Sequence, residues 1–222
     1  MKPYFALTKP RITWLILMST AIGYFFGADE WRWWVLLCTL AGTGLLASGT
    51  ATLNQWWERE ADAKMRRTER RPLPAGEVTP NQALVWGILL SLAGFAVLTA
   101  AVNLLAGLLG LFTLLSYLFV YTPLKRRSPH CTTVGAIPGA MPPLIGYAAA
   151  HGSLTVEAWV LGAILFVWQF PHFYSIAWLY RDDYARAGIR MQPVLEENNE
   201  ATARLILLTS ALLIPISLAP AL

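Results

Sequence analysis

Trp33-Trp-Val-Leu-Leu-Cys38-Thr-Leu-Ala-Gly-Thr-Gly-Leu-Leu-Ala-Ser-Gly-Thr-Ala-Thr-Leu53 is long enough to cross a bilayer and carries no charge. It passes directly into Asn54-Gln-Trp-Trp-Glu58-Arg-Glu-Ala-Asp62-Ala-Lys-Met-Arg66-Arg67-Thr68-Glu-Arg70-Arg71-Pro72-Leu73. An uninterrupted apolar run of this length reads as a transmembrane helix. If the helix continues through the charged block, Asn54, Glu58 and Asp62 fall on one face, drifting by about 40° per four-residue step. Pro72 and Pro74 then stop any helix and Gly76 permits a turn.

Similar runs recur on both sides. The expected spans are 12–28, 33–53, 82–101, 104–122, 131–150, 156–180 and 204–222. With 56% hydrophobic and 14% charged residues, the chain is far from the roughly 25% charge of soluble domains. Residues 1–222 therefore read as one all-α, polytopic transmembrane bundle of about seven helices, with no separate soluble domain. The chain has 17 Lys and Arg in all. Every one except Arg32 precedes the first span or falls after the second, fourth or sixth. By the positive-inside rule this places the N-terminus and three charged loops in the cytoplasm. The first span has no evident Ala-x-Ala site after it, so it reads as a retained helix rather than a cleaved signal. An Arg- and Ser-rich leader is likewise not evident, which favours a bacterial plasma membrane over import into an organelle. Cys38 and Cys131 are isolated and apolar in setting, and read as packing residues.

The charged block also has a chemistry. An ionisable side chain at a helix centre costs about 2.5–3.5 kcal/mol on insertion scales, so acids at a membrane edge need partners or a task. Mg²⁺ prefers oxygen donors and commonly binds through one or two carboxylates plus substrate phosphates. Asn54, Glu58 and Asp62 supply such donors, while Arg66, Arg67, Arg70 and Arg71 can clamp phosphate oxygens. A solvated loop whose acids balance its cations is the alternative. Tyr121-Thr-Pro-Leu-Lys125-Arg126-Arg127-Ser-Pro-His130 adds cations at the same face, as anchors or as phosphate ligands. In the third loop, Asp182 and Asp183 are adjacent and point about 100° apart on a helix, so only one can share a site with the first loop. His172, in Trp168-Gln-Phe-Pro-His172-Phe, and His130 are either packing residues or substrate contacts, and Pro171 is expected to kink its helix. Trp56, Trp57, Tyr117, Tyr121 and Tyr174 suit an interfacial belt, or could stabilise a developing carbocation. The combination points to an enzyme acting on a phosphorylated lipid.

Asn54–Gly76 resembles the first signature of the UbiA superfamily of intramembrane prenyltransferases. Three other segments extend the likeness to the heme O synthases within it: Thr8-Lys9-Pro10-Arg11, Ser128-Pro-His130 through Gly146, and Trp168-Gln-Phe-Pro-His172-Phe. The stretch Asp183-Tyr184-Ala-Arg-Ala-Gly188-Ile-Arg-Met191 matches that family's second acidic loop. Glu58 stands where Asp is common in the superfamily, and Ala187 where a second acid often follows Asp183. The resemblance implies farnesyl transfer from farnesyl diphosphate to a vinyl group of heme B, with water addition, giving heme O and diphosphate. It assigns Asn54, Glu58, Asp62 and Asp183 to Mg²⁺ and catalysis. Substrate contacts fall to Arg66, Arg67, Arg70, Tyr121, Lys125, Arg126, His130 and His172, the histidines facing heme. Implied partners are the lipid bilayer and heme A synthase or terminal oxidase assembly factors, with no nucleic acid. The family has about nine membrane helices, so the last two are expected to be lacking. Rival readings are a prenyltransferase for an aromatic quinone precursor and a non-catalytic transporter or assembly protein.

Overall fold

The computed structural model describes residues 1–219, and among these every regular element is helical. A short helix α1 (Lys2–Leu7) leads into α2 (Pro10–Gly27), which starts on a proline whose missing N–H would be unpaired there in any case. Helix α3 (Trp33–Asp62) is the longest, at 30 residues. Its length of about 45 Å exceeds the roughly 30 Å hydrocarbon layer, so the acidic end projects beyond the apolar zone. The apolar run and the first acidic block are thus one helix.

Helix α4 (Pro80–Val97) opens with a reciprocal capping box between Thr79 and Gln82, and continues as π-helix over Leu98–Val102. Helix α5 (Leu104–Leu115) is capped by Asn103, whose other amide end donates to the Ala148 carbonyl at 2.8 Å. It too passes into π-helix, Ser116–Tyr121, before the turn α6 (Thr122–Leu124). The expected 131–150 span is two helices, α7 (Cys131–Gly139) and α8 (Met141–His151), meeting at Ala140. Pro142 and Pro143 cannot donate to α7 carbonyls, which explains the joint. Helix α9 (Val156–Leu179) runs unbroken through Pro171. Two short helices, α10 (Arg181–Arg186) and α11 (Gln192–Leu195), precede α12 (Glu200–Leu218), which packs on α9. The expected last span reaches residues 220–222, which lie outside the described residues. Among the described residues five stretches are long and apolar enough to cross a membrane, so this is a multi-pass membrane protein.

Lipid is as apolar as leucine, so helices here associate by close packing rather than by burial from water. Small residues supply the approach. A Cβ on Gly146 would meet the Thr20 carbonyl oxygen at 1.9 Å, and one on Gly23 the Pro143 oxygen at 2.0 Å. Those contacts hold α2 against α8. Gly49 and Gly94 do the same for α3 and α4. Leu46, Leu98, Leu144 and Tyr24 fill the space between these pairs. Gly146→Val should therefore lower stability by roughly 1–3 kcal/mol or more through overpacking. Gly44→Ala, which meets only Leu17 at 3.4 Å, should be tolerated. Monodispersity after heating in detergent separates them, and equal melting of the two variants would refute the close-packing account.

Candidate active site

The site grows from the C-terminal turns of α3. Asn54 is 2% exposed and Asp62 is 2% exposed, with Glu58 half-buried between them. The Asn54 amide nitrogen donates to Glu58 Oε2 at 2.8 Å and to Thr122 Oγ1 at 3.2 Å. With the nitrogen committed to two acceptors, Oδ1 faces the Lys9 ammonium at 3.4 Å. Lys125 Nζ donates to both Glu58 oxygens at 2.8 Å, and sits 4.6 Å from the centre of the Tyr121 ring. Tyr117 and Tyr121 lie side by side, 5.1 Å between centroids. Their four-residue separation in a π-helix, rather than an α-helix, sets how both present to Lys125. One turn further along α3, Asp62 Oδ2 accepts from Arg71 Nη1 at 2.7 Å, and the Asp62 carbonyl accepts from Thr68 Oγ1.

Three cations, Lys9, Arg71 and Lys125, thus face two carboxylates. Burial pushes the Lys9 ammonium down to about 7; Arg71 and Lys125 act in the same direction, against Glu58 and Asp62. Burial also opposes charge on Lys125, but Glu58 and the two tyrosines outweigh it and hold the ammonium above its usual range. Lys9 stands in the left-handed region, φ 48°, an unfavourable conformation for a side-chain-bearing residue. It is held there between α1 and α2, and α1 is fastened by Gln55, which donates to the Leu7 carbonyl at 2.7 Å.

Asp183 is buried and Asp182 exposed, so one of the pair turns inward, as their spacing requires. Asp183 Oδ2 accepts the Arg67 backbone N–H at 3.2 Å, and its other oxygen pairs with Arg186. Arg67 itself lies over the Tyr180 ring at 5.0 Å and donates to the Tyr184 hydroxyl at 3.4 Å. The Arg190 N–H donates to the Lys125 carbonyl at 2.7 Å. Asp183 and Arg67 therefore join the first loop to the third, and Arg190 joins the third to the second.

Of the expected contacts, Asn54, Glu58, Asp62, Tyr121 and Lys125 come together. Asp183 stands at the loop junction beside them. Arg66, Arg70 and Arg126 are exposed at the rim, as is His130. His172 is also exposed on α9, stacked on Trp168 at 4.6 Å. Lys9 and Thr122 were not among the sequence-derived site residues; Arg71 was expected among the phosphate clamps and is here paired with Asp62. For Lys9 the available signal was a cation directly before Pro10 at the start of an apolar span. The buried oxygen donors suit a hard divalent cation. Among the described residues no three His, Cys, Asp or Glu converge on one point.

NMR of ¹³Cε-labelled lysines should show one resonance titrating near 7, absent in Lys9→Met, and moving upward when pyrophosphate is added. Titration of every lysine near 10 would contradict the burial of this charge among cations.

The UbiA prenyltransferase family matches residues 16–222. A protoheme IX farnesyltransferase of Solibacter usitatus is 61% identical over 100% of this chain and 80% of its own length. The mitochondrial protoheme IX farnesyltransferase of Homo sapiens is 43% identical over 85% of this chain and 42% of its own. Among solved structures, a UbiA homolog from Archaeoglobus fulgidus bound to GPP and Mg²⁺ has a TM-score of 0.76 at 18% identity. It covers 96% of this chain and 76% of that one.

Proposed function

The chain belongs to the UbiA prenyltransferase family, and on that premise we propose that it transfers the farnesyl group of farnesyl diphosphate to a vinyl group of heme B. Water addition then gives heme O and releases diphosphate. The observation that carries this reading is the buried set at the end of α3: Asn54, Glu58 and Asp62 on one face, met by Lys9, Lys125 and Arg71. The names of the relatives support the choice of heme and farnesyl. The Archaeoglobus protein, of the same fold and solved with GPP and Mg²⁺, supports a prenyl diphosphate and a divalent cation as ligands here. We place the acidic end of α3 on the cytoplasmic side of the membrane, by the distribution of Lys and Arg.

Mg²⁺, held through Glu58, Asp62 and the Asn54 amide oxygen with Asp183 nearby, would draw charge from the diphosphate and weaken its bond to farnesyl C1. Lys9, Lys125 and Arg71 take up the charge that gathers on the leaving group as that bond breaks. Preorganised donors act most strongly where charge develops, and these are fixed before substrate arrives. Lys125 and Arg71 exchange carboxylate oxygens for phosphate oxygens on binding. The faces of Tyr117 and Tyr121, directly beneath Lys125, shield the allylic cation from water and favour its positive charge. Arg67 and Asp183, by fastening the first loop to the third, keep bulk solvent from the reacting end.

Membranes carrying the protein, given heme B, farnesyl diphosphate and Mg²⁺, should form heme O by chromatography. Asp62→Ala should lower the rate by about 10²-fold or more. Arg66→Ala, at the exposed rim, should change it by roughly threefold at most, in line with the small worth of exposed ion contacts. Full activity in Asp62→Ala would sink the assignment of this face. Prenylation of an aromatic quinone precursor in preference to heme B, in direct competition, would replace the acceptor.

A further inference from the structure

Gln169 lies within the apolar length of α9 and is 6% exposed. Its amide nitrogen donates to the Ala136 carbonyl at 2.9 Å and to the Leu165 carbonyl at 3.1 Å. Both partners are acceptors, so the nitrogen is fixed on that side and Oε1 must face the other way. There it lies against Gly139, where an added Cβ would stand 1.9 Å from it. Oε1 receives no donor from the described residues, yet it is not sealed off by protein atoms. A bare acceptor in an apolar interior is costly unless something other than the chain supplies the donor.

Helix α7 fixes where this acceptor lies relative to the site. Gly135 and Gly139 are four residues apart and share a face. The Tyr121 ring covers Gly135, where a Cβ would stand 2.5 Å from it, and Gln169 covers Gly139. Tyr121 lies under Lys125, and Lys125 holds Glu58. The free oxygen of Gln169 is therefore about 6 Å, one helical turn, below the tyrosine floor of the diphosphate site. It is one turn deeper along α7 than the tyrosines, the direction in which the carbons of a prenyl diphosphate anchored at the cations would extend.

The proposed reaction needs a water at that depth. As the C1–O bond breaks, its electron pair leaves with diphosphate. The vinyl π pair forms the new bond to C1, and a cation remains on the carbon attached to the porphyrin ring. That cation has two exits. A water oxygen can add to it, or it can lose a proton from the neighbouring carbon and become an alkene. We propose that Gln169 Oε1 accepts a hydrogen bond from the water that adds, directing the water's lone pair at the cation; this rests on the farnesyl-transfer reading above. The proton released goes to the diphosphate freed in the same turnover. A neutral amide suits the task. Its oxygen orients water but is too weak a base to take the carbon-bound proton, so it does not promote the alkene exit. Gln169 is thus a positioning residue whose effect falls on the choice of product.

The test is mass spectrometry of the products formed from heme B and farnesyl diphosphate in H₂¹⁸O. The native protein should give one farnesylated heme carrying ¹⁸O. Gln169→Leu should still consume both substrates, but raise the ratio of the product lacking water by about tenfold or more, as expected when a reactant loses its orientation. Because Gln169 also braces Ala136 at the α7–α8 joint, Gly139→Ala provides a second route. Its methyl would stand 1.9 Å from Oε1 and 2.6 Å and 2.8 Å from the amide carbon and nitrogen, displacing the amide from the other side of the contact, with the same shift expected. An unchanged product ratio in whichever of these variants turns over would overturn the proposal. A native protein that yields no farnesylated heme of either kind would sink the farnesyl-transfer reading, and this inference with it.

Discussion

The buried pairing of Glu58 with Lys125 is the interaction on which the charged end of the bundle depends. Glu58 belongs to α3 and Lys125 to the connection beyond α6, so the pair spans two otherwise separate parts of the chain. It also organises what surrounds it. Glu58 orients Asn54, Asn54 leaves its oxygen toward Lys9, and Lys125 lies on the tyrosines of the π-helical turn. The backbone of Lys125 accepts from Arg190, which brings in the third loop. Taking two charges out of water costs several kcal/mol per ion, and well-packed apolar residues often serve stability as well or better. A pair like this is poorly explained by stability. It is better explained as a charge array assembled in advance for an anion.

Much of the fold was legible because its signals are local. Apolar length marks the spans, and four-residue spacing puts Asn54, Glu58 and Asp62 on one face. Adjacency also separates Asp182 from Asp183. The pairing of cations with acids was not legible, because it is decided by packing. Four arginines near Asp62 look alike in sequence. Only Arg71, where the chain turns back before Pro72, reaches the carboxylate, while Arg67 is drawn away by Tyr180 and Tyr184. Lys9 was visible only as part of a short motif, since its approach to Asn54 requires α1 to fold back onto α3. Pro171 is carried inside a continuous α9, so the proline does not end the helix.

The glycines tie packing to chemistry. In a bilayer, close backbone approach replaces hydrophobic burial as the means of association, and Gly23, Gly49, Gly94 and Gly146 serve that end. Gly135 and Gly139 obey the same rule with a different result. Each admits a side chain rather than a neighbouring backbone, Tyr121 at one and Gln169 at the other. One bare face of α7 thereby aligns an aromatic ring and an amide along the path from the cations into the bundle.

That alignment grades polarity with depth. Along this path the formal charges lie at the projecting end of α3 and in the loops above it, where water and counter-charges keep their cost low. Below them come aromatic faces, which favour positive charge without carrying negative charge. Deeper still is a single neutral amide. In the proposed farnesyl transfer, a leaving group of high negative charge, an allylic cation and an uncharged nucleophile would meet those three environments in that order. The sequence of π-helical turn, glycine face and α7–α8 joint brings them within a few helical turns of one another. Placing a carboxylate instead of an amide at the deepest position would add a base beside a cation and a charge to the apolar interior, two costs that Gln169 avoids.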